Sequence, residues 1–144
     1  VYNEDIHALV AQSGGGEGDR FEPANLVIQS GTFAVPTATV EMRVDGQSKK
    51  TTAQGDGPVD AVFKAIAELT ETKSELLQYQ VKAITGGMDA QGEVTVTVTD
   101  DGRRVIGHGA HTDIIVASAR AYVHALNKLE WHKRQHARSE PRGI

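Results

Sequence analysis

Apolar and polar residues alternate along several short segments of this chain. Residues Thr37 to Val44 place apolar side chains at every second position, which is typical of a half-buried β-strand. Asp45-Gly46 follows directly and predicts a tight hairpin turn, so Lys49 to Gln54 is expected to return as another strand. An apolar run from Leu26 to Ser30 predicts a further strand before them. This part of the chain is therefore expected to form a small antiparallel sheet.

The pattern changes to helical spacing after Gln54. Gly55-Asp56-Gly57-Pro58 interrupts the strand, and proline suits the first position of a helix because its missing N–H is not needed there. Apolar residues then recur three and four apart, at Val59, Val62, Phe63, Ile66 and Leu69. Three strands followed by a helix form a βββα unit, which we place at about residues 21–73.

The second half of the chain repeats this order. Its predicted strands are Leu77 to Thr85, Glu93 to Thr99 and Arg103 to Ile106. The Asp101-Gly102 pair predicts the hairpin turn, and we interpret Gly107-His108-Gly109 as a second break in the sheet. Thr112 is expected to cap a long final helix. The apolar positions of that helix are Ile115, Ala119, Tyr122, Leu126 and Leu129.

The two units differ slightly in spacing. The Asp-Gly turns lie 56 residues apart (45 to 101), whereas Gly55 and Gly107 lie 52 apart, which predicts a shorter return strand in the second unit, at about residues 74–130. Two βββα units predict the α+β class, with pseudo-symmetric units packed as a sheet/helix sandwich that a homodimer completes. We interpret residues 1–20 as a leading helix and a glycine-rich linker, and residues 131–144 as a polar, basic tail.

Composition narrows the possible functions. The 144 residues suit one domain, and a net charge of −4 without a basic stripe argues against a nucleic-acid partner. The absence of cysteine excludes disulfides and thiolate metal sites. No stretch approaches the roughly 20 apolar residues that span a bilayer, and the first residues do not resemble a signal peptide. We expect a cytoplasmic protein without a membrane partner.

The segment from Gly55 to Pro58 is the strongest candidate for binding chemistry. Glycines let a ligand approach the backbone, and a helix start offers free N–H groups and a positive dipole end to a carboxylate or phosphate. A plain strand–helix turn would use the same residues. The segment has neither the lysine of a Walker loop nor the third glycine of a dinucleotide-binding fingerprint.

Other kinds of chemistry find less support. His108 and His111 would need Asp113 or His124 to complete a metal site, and these positions do not match a known ligand spacing. There is no cysteine and no serine in a nucleophile elbow. We therefore expect no metal or cofactor in this chain, and a binding or assembly domain in place of a catalytic one.

An ordered set of motifs resembles a known family. The motifs are Gly55-Asp56-Gly57-Pro58-Val59-Asp60-Ala61, Tyr79, Thr85-Gly86-Gly87-Met88-Asp89-Ala90-Gln91-Gly92, Gly109, Thr112-Asp113-Ile114-Ile115-Val116-Ala117-Ser118-Ala119 and Ala125-Leu126-Asn127-Lys128-Leu129. In this order and spacing, from about Phe21 to Leu129, they look like the C-terminal regulatory domain of 2-isopropylmalate synthases. Citramalate synthases carry a similar domain.

The resemblance implies a homodimeric regulatory domain built from two βββα units. Enzymes of that family condense acetyl-CoA with 2-oxoisovalerate, the first committed step of leucine biosynthesis. Their divalent metal and catalytic centre lie in an N-terminal TIM barrel, a fold of about 250 residues that this chain is too short to contain. The chain is therefore expected to be non-catalytic and to bind L-leucine for allosteric feedback inhibition of that barrel.

By position, the resemblance assigns these residues to a leucine pocket: Gly55, Asp56, Gly57, Val59, Asp60, Leu76, Tyr79, Ala83 and Ala90. The ligand carboxylate would meet N–H groups at the helix start, and its ammonium would meet backbone carbonyls or Asp56. Val59, Leu76 and Ala83 would line a slot for the isobutyl group. Three alternatives remain open: an isoleucine-sensing domain of citramalate synthase, a dimerisation module that binds no ligand, and a small metal-dependent enzyme that uses the Gly107 to His111 loop.

Overall fold

Two three-stranded antiparallel sheets and two helices make up the part of the protein that the structure describes. The computed structural model describes residues 20–31, 34–83 and 91–139. In chain order the elements are β1 (Phe21–Gly31), β2 (Ala34–Val44), β3 (Gln47–Gln54), α1 (Pro58–Thr70), β4 (Glu75–Ala83), β5 (Gly92–Asp100), β6 (Arg103–His111) and α2 (Ile114–Ser139). Strands β1, β2 and β3 form one sheet and β4, β5 and β6 the other. The α+β class with two βββα units is confirmed.

Both predicted hairpin turns are present. Asp45 and Asp101 have φ angles of 54° and 55°, and the glycines that follow them have φ angles of 83° and 82°. Positive φ at both central residues is the geometry of a tight turn that matches the twist of the two strands it joins. Aspartate tolerates this left-handed conformation and glycine adopts it without steric cost. The Asp-Gly pairs therefore define the register of both hairpins.

One continuous core joins the sheets and the helices. Each sheet turns one apolar face toward a helix layer, with α1 against β2 and β3 and α2 against β5 and β6. The helices also contact one another, and α2 reaches β1 of the first sheet. The central strands supply alternate buried side chains, namely Ala38, Val40, Met42 and Val44 in β2 and Val94, Val96 and Val98 in β5. The alternation therefore predicted the buried faces of these strands correctly.

Gly107 and Gly109 do not break the second sheet, and that prediction was wrong. Both lie inside β6, directly beneath α2. A Cβ atom built on Gly107 would lie 2.2 Å from the carbonyl oxygen of Ala121, and one on Gly109 would lie 2.2 Å from that of Ala117. Glycine is needed here because the helix backbone lies against the strand, and a glycine in a strand often marks such a close approach.

The return strand of the second unit is consequently not shorter than that of the first. Each of β3 and α1 has its counterpart 56 residues later, with β6 beginning at 103 after 47 and α2 at 114 after 58. This is the spacing of the two Asp-Gly turns. The apparent shift of four residues arose because Gly107-x-Gly109 was aligned with Gly55-x-Gly57, although the two pairs occupy different places in their units.

The ends of several elements differ from the sequence expectation. Strand β1 begins at Phe21 and includes Pro23, which is tolerated because β1 is an edge strand of its sheet. Asp113, not Thr112, caps α2, since the N–H of Ile115 donates to the Asp113 Oδ1 atom at 2.8 Å. The helix continues past residue 130 to Ser139. The predicted leading helix and linker, and the last residues of the tail, lie outside the described residues.

Side chains near the middle of α2 join the two units. The N–H of Phe21 donates to Asn127 Oδ1 at 3.0 Å, and Asn127 Nδ2 donates to the Phe21 carbonyl at 2.9 Å. Arg20 pairs with Glu130 on α2 at 2.9 Å and with Asp45 in the first hairpin turn at 3.0 Å. These contacts fix the start of β1 on α2. Neither described helix is both long and apolar enough to cross a membrane.

The close contact between β6 and α2 generates a stability prediction. Gly107→Ala places a methyl group within the backbone of α2, so we expect it to lower the free energy of unfolding by about 1–3 kcal/mol, the usual cost of overpacking. Gly31→Ala is the matched control, because a Cβ there meets no atom within 4 Å. Urea denaturation of both variants measures the effect, and equal stabilities would contradict the close packing.

Candidate functional site

The start of α1 carries no side-chain cap. Gly57 occupies the N-cap position with extended backbone (φ −154°, ψ 173°), and Pro58 follows at the first helical position. Within the described part of the chain, no group accepts a hydrogen bond from the N–H of Gly57, Val59 or Asp60. These donors sit at the positive end of the helix dipole. The geometry therefore suits a small anion such as a carboxylate.

Two of the predicted site residues have internal roles at this helix start. The Asp60 carboxylate accepts the N–H of Asp56 at 2.9 Å and pairs with Lys64 at 3.1 Å. These contacts, chiefly the hydrogen bond from Asp56, lower the pKa of Asp60. A Cβ on Gly55 would lie 2.4 Å from the N atom of Ala61, so glycine is required there by packing. Asp60 thus holds the loop in shape, while the Asp56 side chain remains exposed.

Tyr79 on β4 is tied to both helices. Its hydroxyl lies 2.7 Å from Ser118 Oγ on α2. Ser118 Oγ donates its one hydrogen to the Ile114 carbonyl at 2.7 Å, so the Tyr79 hydroxyl is the donor to Ser118. The Tyr79 ring meets the Phe63 ring of α1 edge to face, with centroids 5.6 Å apart. The structure therefore brings Tyr79 to α1, one turn beyond Val59.

Ser118 and Phe63 were not predicted as site residues. Ser118 is completely buried, on the same apolar face of α2 as Ile115 and Tyr122. Phe63 also contacts the Tyr122 ring, with centroids 4.8 Å apart. A lone hydroxyl in an apolar helical stripe is the sequence signal that could have indicated Ser118, because a buried hydroxyl needs a hydrogen-bond partner. Phe63 gave no such signal, since it fits the core pattern of α1.

A bulge in β4 changes which of its side chains share a face. The register pairs Leu76 with Val98, Tyr79 with Val96 and Val81 with Val94, and it shifts between Leu76 and Gln78. Because residues directly opposite one another share a face, Leu76, Tyr79 and Val81 all lie on the helix side. Simple alternation would have placed Leu76 and Tyr79 on opposite faces.

The helix side of β4 is only partly covered. Leu76 is 44% exposed and Val81 48% exposed, although their partners on β5 are buried. We call Leu76, Tyr79 and Val81 the β4 strip. Ala83 ends β4 and pairs with Gly92, and Ala90 lies outside the described residues. The strip presents apolar surface beside Tyr79, next to the helix layer.

The histidines have structural partners of their own. His111 Nδ1 accepts the N–H of Asp113 at 2.9 Å, and His124 Nδ1 accepts the N–H of His108 at 3.0 Å. In the parts of the chain that the structure describes, no three histidine, aspartate or glutamate side chains converge as metal ligands would. Among the described residues, the candidate site for a ligand is therefore the α1 start with the β4 strip.

The hydroxyl chain through Ser118 gives a second prediction. Ser118→Ala and Tyr79→Phe remove the same hydrogen bond from opposite ends, so each should cost about 1 kcal/mol of unfolding free energy and the double variant little more. Thr70→Ala is the control, because Thr70 Oγ1 also donates to the carbonyl four residues back, at 2.8 Å, without a tyrosine partner. In denaturant titrations, the losses of unfolding free energy caused by Thr70→Ala and Tyr79→Phe should add up in the double variant. If the losses caused by Ser118→Ala and Tyr79→Phe also added up, the coupling between the two hydroxyl groups would be refuted.

Known proteins similar to this chain share one description. The chain is 50% identical over 134 residues to the 2-isopropylmalate synthase of Syntrophus aciditrophicus, covering 93% of this chain and 26% of that protein. It is 48% identical over 138 residues to that of Thiobacillus denitrificans, and the match covers 95% of this chain and 27% of that protein. It is 46% identical over 130 residues to that of Nitrosococcus oceani, and the match covers 90% of this chain and 25% of that protein. The chain thus spans about a quarter of the length of these relatives.

A family model settles the membership. The model described as the LeuA allosteric (dimerisation) domain matches residues 1–130. The match confirms the resemblance to the regulatory domain of 2-isopropylmalate synthases that the sequence motifs suggested. Because the match covers most of the 144 residues, this chain belongs to the LeuA allosteric (dimerisation) domain family.

Proposed function

We propose that this domain binds L-leucine and that binding inhibits a 2-isopropylmalate synthase to whose catalytic barrel it is joined. The observation that carries the proposal is the α1 start, whose first N–H groups have no side-chain cap, together with the apolar β4 strip, which contacts α1 through the Tyr79 and Phe63 rings. A free amino acid with an apolar side chain offers a carboxylate to the N–H groups of the α1 start and a hydrocarbon group to the β4 strip. The family's description as an allosteric domain supports a sensing role.

The two ends of the ligand would meet different parts of the site. The carboxylate accepts hydrogen bonds from the N–H groups of Gly57 and Val59, where the helix dipole favours negative charge. The ammonium meets backbone carbonyls or Asp56, whose carboxylate is exposed, whereas Asp60 is already paired with Lys64. The isobutyl group lies against Val59, Leu76 and Ala83. Burying such a side chain contributes about 2 kcal/mol.

We further propose that the β4 strip lies in the interface of a homodimer. Leu76 and Val81 expose apolar surface that a monomer would leave in water, and contiguous exposed apolar groups mark interaction surfaces. The family's description as a dimerisation domain supports self-association. Because Tyr79 belongs to both the strip and the proposed pocket, ligand binding and subunit contact would share one strand.

Regulation then follows from linkage. Leucine inhibits the barrel only if it binds one arrangement of the subunits more tightly than another, and a coupling of about 1–3 kcal/mol gives a graded response. The domain alone binds the effector without catalysis, since the catalytic metal and the substrates acetyl-CoA and 2-oxoisovalerate belong to the barrel. We place the protein in the cytoplasm with leucine biosynthesis.

The α1 start gives a direct binding prediction. Gly57→Asp should abolish leucine binding, because it puts a negative charge where the ligand carboxylate would lie. The fold should survive, since a Cβ on Gly57 meets no atom within 4 Å. Isothermal titration calorimetry with leucine, isoleucine and valine measures both affinity and ligand preference.

Gly31→Asp is the matched control, because a Cβ on Gly31 also meets no atom within 4 Å. It should bind leucine as the unmodified chain does. Unchanged affinity in Gly57→Asp would move the pocket away from the α1 start. A stable dimer that shows no heat with any of the three amino acids would favour a dimerisation module without a ligand, and a preference for isoleucine would favour the citramalate branch.

The β4 strip gives a prediction for assembly. Val81→Glu should weaken the dimer strongly, because a charge in an apolar interface must be desolvated. Val27→Glu is the control, since Val27 is equally exposed, at 48%, on β1. Sedimentation velocity over a concentration series should show monomers for the first variant and dimers for the second. Dimers in both would place the interface elsewhere.

A further inference from the structure

The outer edge of β6 is covered by side chains from α2. Strand β6 lies at the edge of its sheet, so alternate residues direct their backbone N–H and C=O groups away from β5. Lys128 Nζ donates to the Ile106 carbonyl at 2.6 Å, and the N–H of His108 donates to His124 Nδ1 at 3.0 Å. One step further along, Arg120 Nη1 donates to the Ala110 carbonyl at 2.5 Å. We call Arg120, His124 and Lys128 the edge row.

The edge row matches the strand in spacing. Its members are four residues apart on the helix, about 6 Å along the axis. Their backbone partners are two residues apart on the strand, about 6.6 Å. The antiparallel helix and strand therefore stay in register over three successive contacts. The match depends on the close approach of α2, which Gly107 and Gly109 permit.

Covering an edge strand has a clear physical consequence. A free strand edge offers hydrogen bonds to any other strand, and proteins protect such edges against unwanted pairing. Here the protection is specific, because each member of the edge row uses a backbone group that an added strand would need. Strand addition at β6 thus requires the edge row to be displaced first.

His124 differs from the other two members. Arg120 and Lys128 carry cationic side chains that act only as donors. His124 is an acceptor, so its ring must be neutral with the hydrogen on Nε2. Protonation would place a hydrogen on Nδ1, facing the N–H of His108. We propose that His124 is a pH-sensitive latch on the β6 edge, which is closed when its ring is neutral and opens when the ring is protonated.

The surroundings of His124 favour the neutral ring. Burial lowers the pKa of His124, and the charge of Lys128 on the same helix acts in the same direction, as does the charge of the His108 ring on β6, against a smaller opposing effect of the hydrogen bond with the His108 backbone. Arg120 adds a further positive charge one turn earlier, and Thr95 on β5 contributes a hydroxyl 3.4 Å from His108 Nδ1. In the described ranges, no carboxylate forms an ion pair with the ring of His108 or of His124.

The lowered pKa of His124 determines in which direction pH opens the latch. The pKa of His124 in the folded chain is below the ordinary value of about 6.5. A group whose pKa is lowered by folding stabilises the fold above its unfolded pKa, and this contribution is lost as the pH falls through the folded pKa. The latch is therefore closed at neutral pH and opens on acidification, below the pH at which an unperturbed histidine titrates.

Amide exchange of the whole chain, followed by NMR, tests the latch. The protection factor of the His108 amide, corrected for the intrinsic pH dependence of exchange, should fall roughly fivefold as His124 protonates, the factor expected for one ordinary hydrogen bond. The amide of Val96 in the central strand β5 reports global unfolding and should keep its protection. The His124 ring signals give its pKa in the same samples.

Two variants separate the latch from general acid sensitivity. His124→Asn keeps an acceptor oxygen that does not titrate, so His108 should stay protected at every pH. His124→Ala should leave His108 unprotected even at neutral pH. The proposal is overturned if His108 protection is constant while the wild-type His124 titrates. It is equally overturned if His124→Asn loses protection with acid as the wild type does.

Discussion

The backbone contact between α2 and β6 determines where the rest of the domain lies. Gly107 and Gly109 remove two side chains from the strand, and Ala117, Ala121 and Ala125 present only small groups from the helix. With so little between the two backbones, α2 has one position along the strand. Dense packing of this kind leaves no room for an alternative register.

Several functions of α2 follow from that position. Ser118, near its start, meets the hydroxyl of Tyr79, and Asn127, nearer its end, pairs with the backbone of Phe21. His124, between them, and Lys128, directly after Asn127, reach the outer edge of β6. One helix therefore holds the candidate ligand site, the edge of the second sheet and the start of the first. A shift of α2 would change the contacts at all three places.

The two units share their spacing but not the chemistry of their helix starts. Asp113 supplies a carboxylate that caps α2 by accepting the N–H of Ile115. At the corresponding place before α1, Gly57 has no side chain to offer. Of the two helix starts that the structure describes, only that of α1 therefore lacks a side-chain cap, and the ligand that we propose would take the role that Asp113 plays in the second unit. Asp60 stabilises the loop before α1 without covering those N–H groups, since its carboxylate is engaged by Asp56 and Lys64.

Local patterns in the sequence determined the class of fold and the position of the α1 start. Alternation identified the buried faces of β2 and β5, and the Asp-Gly pairs identified both hairpins, because these features depend only on neighbouring residues. The motifs also carried the family resemblance, which a comparison with known proteins confirmed.

Tertiary structure decided the features that depend on residues far apart in the chain. Glycine serves equally as a turn residue and as a point of close packing, so only the position of α2 shows that Gly107 lies inside a strand. The bulge that brings Leu76 and Tyr79 to one face depends on pairing with β5, and the partner of Ser118 lies 39 residues away. Contacts of this kind leave no local pattern, because their energy comes from groups that only folding brings together.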